Sequence, residues 1–311
     1  MGEEVAALGP LLDSGTISLR LALRASATVS RSEGPRSRVT GFGRTLEVEP
    51  DLEALPDEGR LSVEAATIRA VSPALALSVD VHGPHEPELG SFEARAEAVA
   101  AALLVATGKA GDEAIRRAAS IGSVVAARAS SPCRRPVRGD EDAAALTCLV
   151  SGIDGSRPLA IPEGRPTFVS DLALFRDPHG ECGPSPRLAV LGWHSGDPVL
   201  RHALRAAASA SRAAARALSR GTTGALLELL ERESRALEAL APPSPRERRA
   251  EALLREAGAV AIRRIGERGL LAVLVPQAQR ATVENKALGL GLETIRATPG
   301  EGGIEVEEVA A

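Results

Sequence analysis

The 311-residue chain is 44% hydrophobic and 25% charged, with a formal net charge of −4; this suits one large or two ordinary globular domains and argues against a nucleic-acid or polyanion partner. Three widely spaced cysteines, Cys133, Cys148 and Cys182, form neither a disulfide framework nor a zinc-ligand pattern. Met-Gly-Glu-Glu at the start has no basic, apolar leader pattern, and no apolar run reaches the roughly 18–20 residues of a membrane span, so a cytoplasmic chain without membrane contact is expected.

In chain order, Ile17, Leu19, Leu21 and Leu23 alternate as in a half-buried strand. Gly34-Pro35 marks a turn, and Arg38–Val48 reads as a strand pair turning near Gly41–Gly43. Pro50–Gly59 is loop, Leu61–Val71 helix and Leu75–Val81 an alternating strand. The next stretch, His85–Thr107, runs through a turn-forming segment with Gly90 and Ser91 into an apolar helix at Ala94–Ala106. Such a junction can hold an anion, because free N–H groups and the helix dipole point outward there. Glu86, Glu88 and Glu93 would repel phosphate, however, and an ordinary helix N-terminus is the default for this junction taken alone.

A second helix is expected over Asp112–Arg128, a basic Pro-containing loop over Ser130–Asp142 and a helix over Ala143–Val150. Gly152–Gly164 reads as loop and sets the expected domain boundary, giving domains 1–164 and 165–311. Beyond it come strands at Thr167–Phe175 and Leu188–Trp193, then helices at Pro198–Arg220, Thr223–Leu240 and, after Pro242–Pro245, Arg246–Gly258. Leu270–Val275 reads as strand, Gln277–Leu288 as helix, and Leu292–Ala297 and Ile304–Val309 as closing strands. Strands mixed with helices, without strict alternation, argue for an α+β fold.

Several blocks resemble, in order, the GHMP family of small-molecule kinases. Their phosphate loop runs Gly-Leu-Gly-Ser-Ser-Ala before a long buried helix; here Glu88, Leu89, Gly90, Ser91, Phe92 and Glu93 stand in those places, with Ala94 following. The family opens on a strand ending Gly-Glu-Tyr-Ala-Val-Leu, similar to Gly2–Leu8. Leu188–Gly196 resembles the Leu-Val-Gly-Trp-Thr-Gly segment of phosphomevalonate kinases, and Gly139-Asp140 through Cys148 that subfamily's Gly-Asp…Gly-Asp-Leu-Ala-Cys. Gly258–Val275 sits where a third glycine-rich motif is expected.

The resemblance implies a two-domain fold, an N-terminal mixed α/β domain and a C-terminal ferredoxin-like α+β domain. It implies Mg-ATP as cofactor if the chain is active. Leu89, Gly90, Ser91, Gly266 and Gly269 would then hold nucleotide, and Trp193, His194 and Ser195 the substrate. The family's catalytic aspartate falls on Ala145, and a one-turn shift would recruit Asp140 or Asp142. The family lysine that supports the transferring phosphoryl group would fall upstream of Gly2. Glu88 and Phe92 replace a glycine and a serine, and Arg263-Arg264-Ile265-Gly266-Glu267-Arg268-Gly269 keeps only two glycines. Phosphoryl transfer depends on positioning and on electrostatic stabilisation of phosphate oxygens. Three readings stay open. One is a non-catalytic or weakly active homologue that partners an active kinase of isoprenoid metabolism, or itself as a homodimer. The second is an active small-molecule kinase. The third is a structural protein with no ligand.

Other candidates have plain defaults. His82 and His85, with Glu86 or Glu88, lack supporting ligands, so no metal is expected. Gly192–Gly196 is not a nucleophile elbow. Arg263, Arg264 and Arg268, like Arg134, Arg135 and Arg138, could hold a small-molecule anion, but a solvated charge run is the default. The alanine-rich helix Ala206–Leu218, with Arg212 and Arg216, should pack within the chain.

Overall fold

In the computed structural model of the chain, the residues described are 8, 11–19, 24–48, 61–71, 75–83, 91–109, 111–129, 146–152, 155–160, 172–180, 183–222, 224–266 and 269–296. They form two compact units that are discontinuous in sequence: Leu23–Arg138 with Gly302–Ala311, and Met1–Ala22 with Gly139–Glu301. The cut expected at 164/165 therefore falls inside the second of these. The expected strand Ile304–Val309 lies outside the described residues.

The unit built on Leu23–Arg138 is a four-stranded sheet with helices. Its strands are β2 (Ser26–Arg31), β3 (Ser37–Gly41), β4 (Arg44–Val48) and β5 (Leu77–His82), in the order β2-β5-β3-β4. β3 and β5 run parallel and the other pairs antiparallel. A parallel pair needs a crossover, and helix α1 (Ser62–Val71) lies between β4 and β5 in the chain. Val39, Val79 and Val81 from the sheet meet Ala65 and Ile68 of α1, with Val99 and Leu103 of α2 (Ser91–Ala106). Helix α3 (Gly111–Ala129) packs on α2 through Ala114 and Ala118 against Ala100, Ala101 and Leu104. Small residues on both sides let these two backbones approach closely.

The other unit holds two sheets. In the first, β1 (Ser14–Leu19) pairs with β6 (Leu146–Gly152), which pairs with β7 (Gly155–Pro158), all antiparallel. The second has the order β11-β8-β10-β9, from β8 (Leu172–Arg176), β9 (Ala261–Ile265), β10 (Leu270–Leu274) and β11 (Glu293–Ile295). Helices α4 (Pro186–His194), α5 (Pro198–Ser219), α6 (Leu226–Leu237) and α7 (Pro245–Glu256) separate β8 from β9, and α8 (Arg280–Gly289) separates β10 from β11. A βαββαβ chain with an all-antiparallel sheet is ferredoxin-like, as the resemblance implied. Its core joins Phe175, Ile262, Leu271 and Val273 to Leu254 of α7 and Val283 of α8. Helix α5 lies on β1 so closely that a Cβ on Gly15 would stand 2.7 Å from the Ala215 Cβ. The alanine face of α5 is thus spent inside the chain, as expected.

Three expected elements are corrected. Ala143–Val150 was expected to be helical; Leu146–Gly152 is a strand, with Ile17 opposite Cys148 in the register with β1. A short apolar run does not distinguish helix from strand by itself, and partner strand β1 decides it. Conversely, the expected strand Leu188–Trp193 lies within α4. Ser185 accepts a hydrogen bond from the Leu188 N–H at 3.3 Å and Pro186 sits at the first helical position, so cap and fixed φ start a helix. Within the expected loop Gly152–Gly164, Gly155–Pro158 is a short strand; its polar residues and proline suit an edge and leave no alternating signal.

Candidate functional site

Ser91 opens α2 and is 2% exposed, and its hydroxyl has no hydrogen-bond partner among the described residues. Of Leu89, Gly90 and Ser91, the residues of this loop expected from sequence to hold nucleotide, it is the one described; Leu89 and Gly90, with Glu88, lie outside the described residues, as do Asp140, Asp142 and Ala145. Phe92, which stands where the family has a second serine, turns its ring onto a guanidinium: Arg95 Cζ lies 5.2 Å from the ring centroid. Arg95 is fully buried one turn into the helix, and its Nε lies 2.7 Å from Oε1 of Glu64, itself fully buried on α1. Burial pushes the Glu64 carboxyl up, and Arg95 pulls it back only in part. Burial likewise lowers the Arg95 guanidinium, with Glu64 opposing.

A second ring closes this cluster. Phe42 lies 4.8 Å from Arg95 Cζ. Phe42 and Gly43 form the two-residue turn between β3 and β4, with φ of 53° and 73°. Positive φ at both positions is the hairpin turn that matches strand twist, but a phenylalanine there is strained. Its stacking on a desolvated cation, worth about 2 kcal/mol, is of the size needed to hold it. The start of α2 is therefore tied to α1 and to the β3–β4 turn by an ion pair between two rings. Sequence reading missed Phe42, Glu64 and Arg95 as a group. The available signal was weak: Glu64 shares its helix with Arg69, and Arg95 its helix with Glu93 and Glu97, so neither stands out as the buried charge.

In the other unit, Gly266 and Gly269 sit in the β9–β10 hairpin with φ of 64° and 67°. Gly269 and Gly183 make room for backbone. A Cβ on Gly269 would stand 2.5 Å from the Asp177 carbonyl oxygen, and one on Gly183 would stand 2.7 Å from the Gly266 carbonyl oxygen. The Asp177 N–H donates to the Gly269 carbonyl at 2.8 Å. Asp177 also accepts from Arg246 at 3.1 Å and from the His179 N–H at 3.0 Å. Arg263 and Arg264, weighed from sequence as a solvated run, are neither solvated nor open to an anion. Arg263 pairs with buried Glu233. Arg264, 6% exposed, reaches Glu247 at 3.4 Å and donates to the Ala241 carbonyl. Glu247 closes a capping box with Ser244 at the head of α7. Arg268 lies outside the described residues, as do Arg134, Arg135 and Arg138.

Trp193, His194 and Ser195 come together at the elbow between α4 and α5. The Ser195 hydroxyl donates to the Gly192 carbonyl at 2.7 Å and accepts from the Asp197 N–H at 3.2 Å, so it shapes the turn. Arg201 donates from Nε to the Trp193 carbonyl at 3.0 Å. The guanidinium carbons of Arg201 and Arg205 lie 5.6 and 5.5 Å from the Trp193 ring centroid. His194 is exposed. His82 is exposed at the end of β5, His85 lies outside the described residues, and no group of His, Cys, Asp or Glu able to hold a metal occurs among those described.

Tested against Mg-ATP, Ser91 fits a phosphate contact, whereas Phe92 and Gly269 serve internal packing. The described residues do not compose a phosphate cradle. No described helix is long and apolar enough to cross a membrane.

No protein-family model matches the chain, and no curated protein matches it in sequence. Solved structures share its fold. The mevalonate kinase of Methanococcus jannaschii is 11% identical with a TM-score of 0.63, over 96% of this chain and 94% of that one. The phosphomevalonate kinase of Streptococcus pneumoniae is 17% identical with a TM-score of 0.60, over 95% and 94%. A D-glycero-D-manno-heptose 1-phosphate kinase from Bacteroides thetaiotaomicron is 13% identical with a TM-score of 0.56, over 92% and 87%. The chain has the two-domain fold of GHMP kinases across nearly its whole length.

Proposed function

With the GHMP-kinase fold as premise, we propose that this chain is a non-catalytic or weakly active homologue of phosphomevalonate kinase. It acts in the cytoplasm as a binding or regulatory partner in isoprenoid metabolism, as a homodimer or with an active kinase. The observation that carries this reading is the fate of Phe92. Where the family places a phosphate-loop serine, this side chain stacks on a buried arginine and offers no hydroxyl. Glu88 adds a negative charge to the same loop, which disfavours a triphosphate by Coulomb repulsion. The internal use of Gly269 supports the same reading.

One observation favours a second reading. The buried hydroxyl of Ser91, without a hydrogen-bond partner among the described residues and at the head of a 16-residue helix, is a feature that a phosphate would satisfy. On that reading the chain is an active Mg-ATP-dependent kinase for a small acid. Leu89, Gly90, Ser91, Gly266 and Gly269 would hold nucleotide, Trp193, His194 and Ser195 the substrate, and Asp140 or Asp142 would serve as base. The streptococcal enzyme has been solved with phosphomevalonate and AMPPNP, which names the substrate to try first. Purified chain would be incubated with Mg-ATP and mevalonate or phosphomevalonate, and ADP release followed. The proposal expects no turnover above the substrate-free background. Turnover abolished by Asp140→Ala or Asp142→Ala would establish the second reading instead.

A further inference from the structure

The chain as a whole is acidic, at −4, yet the 22-residue helix α5 carries Arg201, Arg205, Arg212 and Arg216 and no acidic side chain. Its alanine face is buried on β1 and α6, so the arginines lie on what remains. Arg212 is paired with Asp13. Arg201, Arg205 and Arg216 have no carboxylate partner among the described residues. Arg216 complements the helix C-terminus, but Arg201 lies in the first turn, where the helix dipole disfavours cations, with Arg205 one turn further on. They flank the only tryptophan of the chain, half-buried Trp193. Beside it, Leu191 is 56% exposed and Val199 67% exposed. Exposed arginine next to a rigid aromatic and aliphatic anchors is the composition of protein-interface hot spots.

We propose that this face, from the α4–α5 elbow along α5, docks a short acidic segment of a partner protein, with Trp193 as its apolar anchor. The inference goes beyond the nucleotide reading and does not depend on it. Charge complementarity chooses the occupant. A nucleic acid would be repelled by the acidic remainder of the molecule. A bilayer would require bulky apolar residues along the same face of the helix, whereas the exposed positions between the arginines are His202, Ser209 and Ala213.

The test titrates full-length chain into a fluorescein-labelled peptide built only of glutamate and leucine, read by anisotropy. A peptide of lysine and leucine and vesicles of phosphatidylserine serve as rivals. The expected result is saturable binding of the acidic peptide alone, weakening as salt rises from about 50 to about 300 mM. Arg205→Glu combined with Arg216→Glu should weaken it about tenfold or more, with an unchanged melting curve. Should that variant unfold, Arg205→Gln with Arg216→Gln carries the same expectation at smaller size. Absence of binding, equal binding by a folded charge variant, or equal binding of the lysine peptide or the vesicles would overturn the proposal.

Discussion

The head of α2 and the β9–β10 hairpin invite comparison, because both occupy stretches where a kinase of this fold is expected to cradle phosphate. Both carry a buried arginine paired with a buried glutamate instead. At the hairpin, Arg264 has a carboxylate and a backbone carbonyl as acceptors, and Glu247 also caps a helix. At the head of α2, Arg95 pairs with Glu64 and has the Phe42 and Phe92 rings against its guanidinium. A buried pair is stabilised by its additional hydrogen bonds as much as by its own attraction. The hairpin pair is thus tied to a backbone carbonyl and a helix cap, while the α2 pair is set against two aromatic rings.

This difference orders the expected effects. Arg95→Ala leaves the Glu64 carboxylate buried without its cation, and urea unfolding should show a loss of about 3–5 kcal/mol. The paired change Glu64→Leu with Arg95→Met should return most of that loss, since two apolar side chains suit the ring-lined space; a double variant as weak as the single one would show that the pair holds more than itself. Arg264→Ala should cost less, about 2 kcal/mol, because Glu247 keeps its Ser244 contact. Phe42→Asn relieves the positive φ but loses a ring, so the change should stay within about 1 kcal/mol.

The smallest effect is one of pH. Burial raises the Glu251 carboxyl; Arg264 opposes this, Glu238 adds to it, Arg255 opposes and Glu247 adds. A carboxyl raised on folding stabilises the native state below the ordinary carboxylate pKa, and that contribution is lost as pH rises through the folded value. Glu251→Gln should therefore flatten the decline in melting temperature from about pH 4 upward. An unchanged slope would place the decline on other groups.

Much of the fold is legible in the sequence, because its strands alternate and its helices have caps and apolar stripes. The strand pair at Arg38–Val48 and the long helix from Pro198 come straight from those signals. Leu188–Trp193 misleads because a continuous apolar run carries no period, and Ser185-Pro186 decides it. β9 is hidden because adjacent Arg263 and Arg264 read as surface charge, although each finds a carboxylate from a helix distant in sequence. At the candidate site, the substitution at Phe92 is visible in the sequence; its destination is not. Only folding brings the β3–β4 turn, α1 and α2 together around Arg95.

Titration calorimetry of Mg-ATP into the full chain, alongside Glu88→Gly and Glu88→Gly with Phe92→Ser, tests the central claim most directly. The account predicts no heat of binding for the natural sequence, and saturable binding first appearing when the loop's glycine and serine are restored. Tight binding by the natural sequence would contradict it, since a cradle turned to internal packing could not hold the triphosphate.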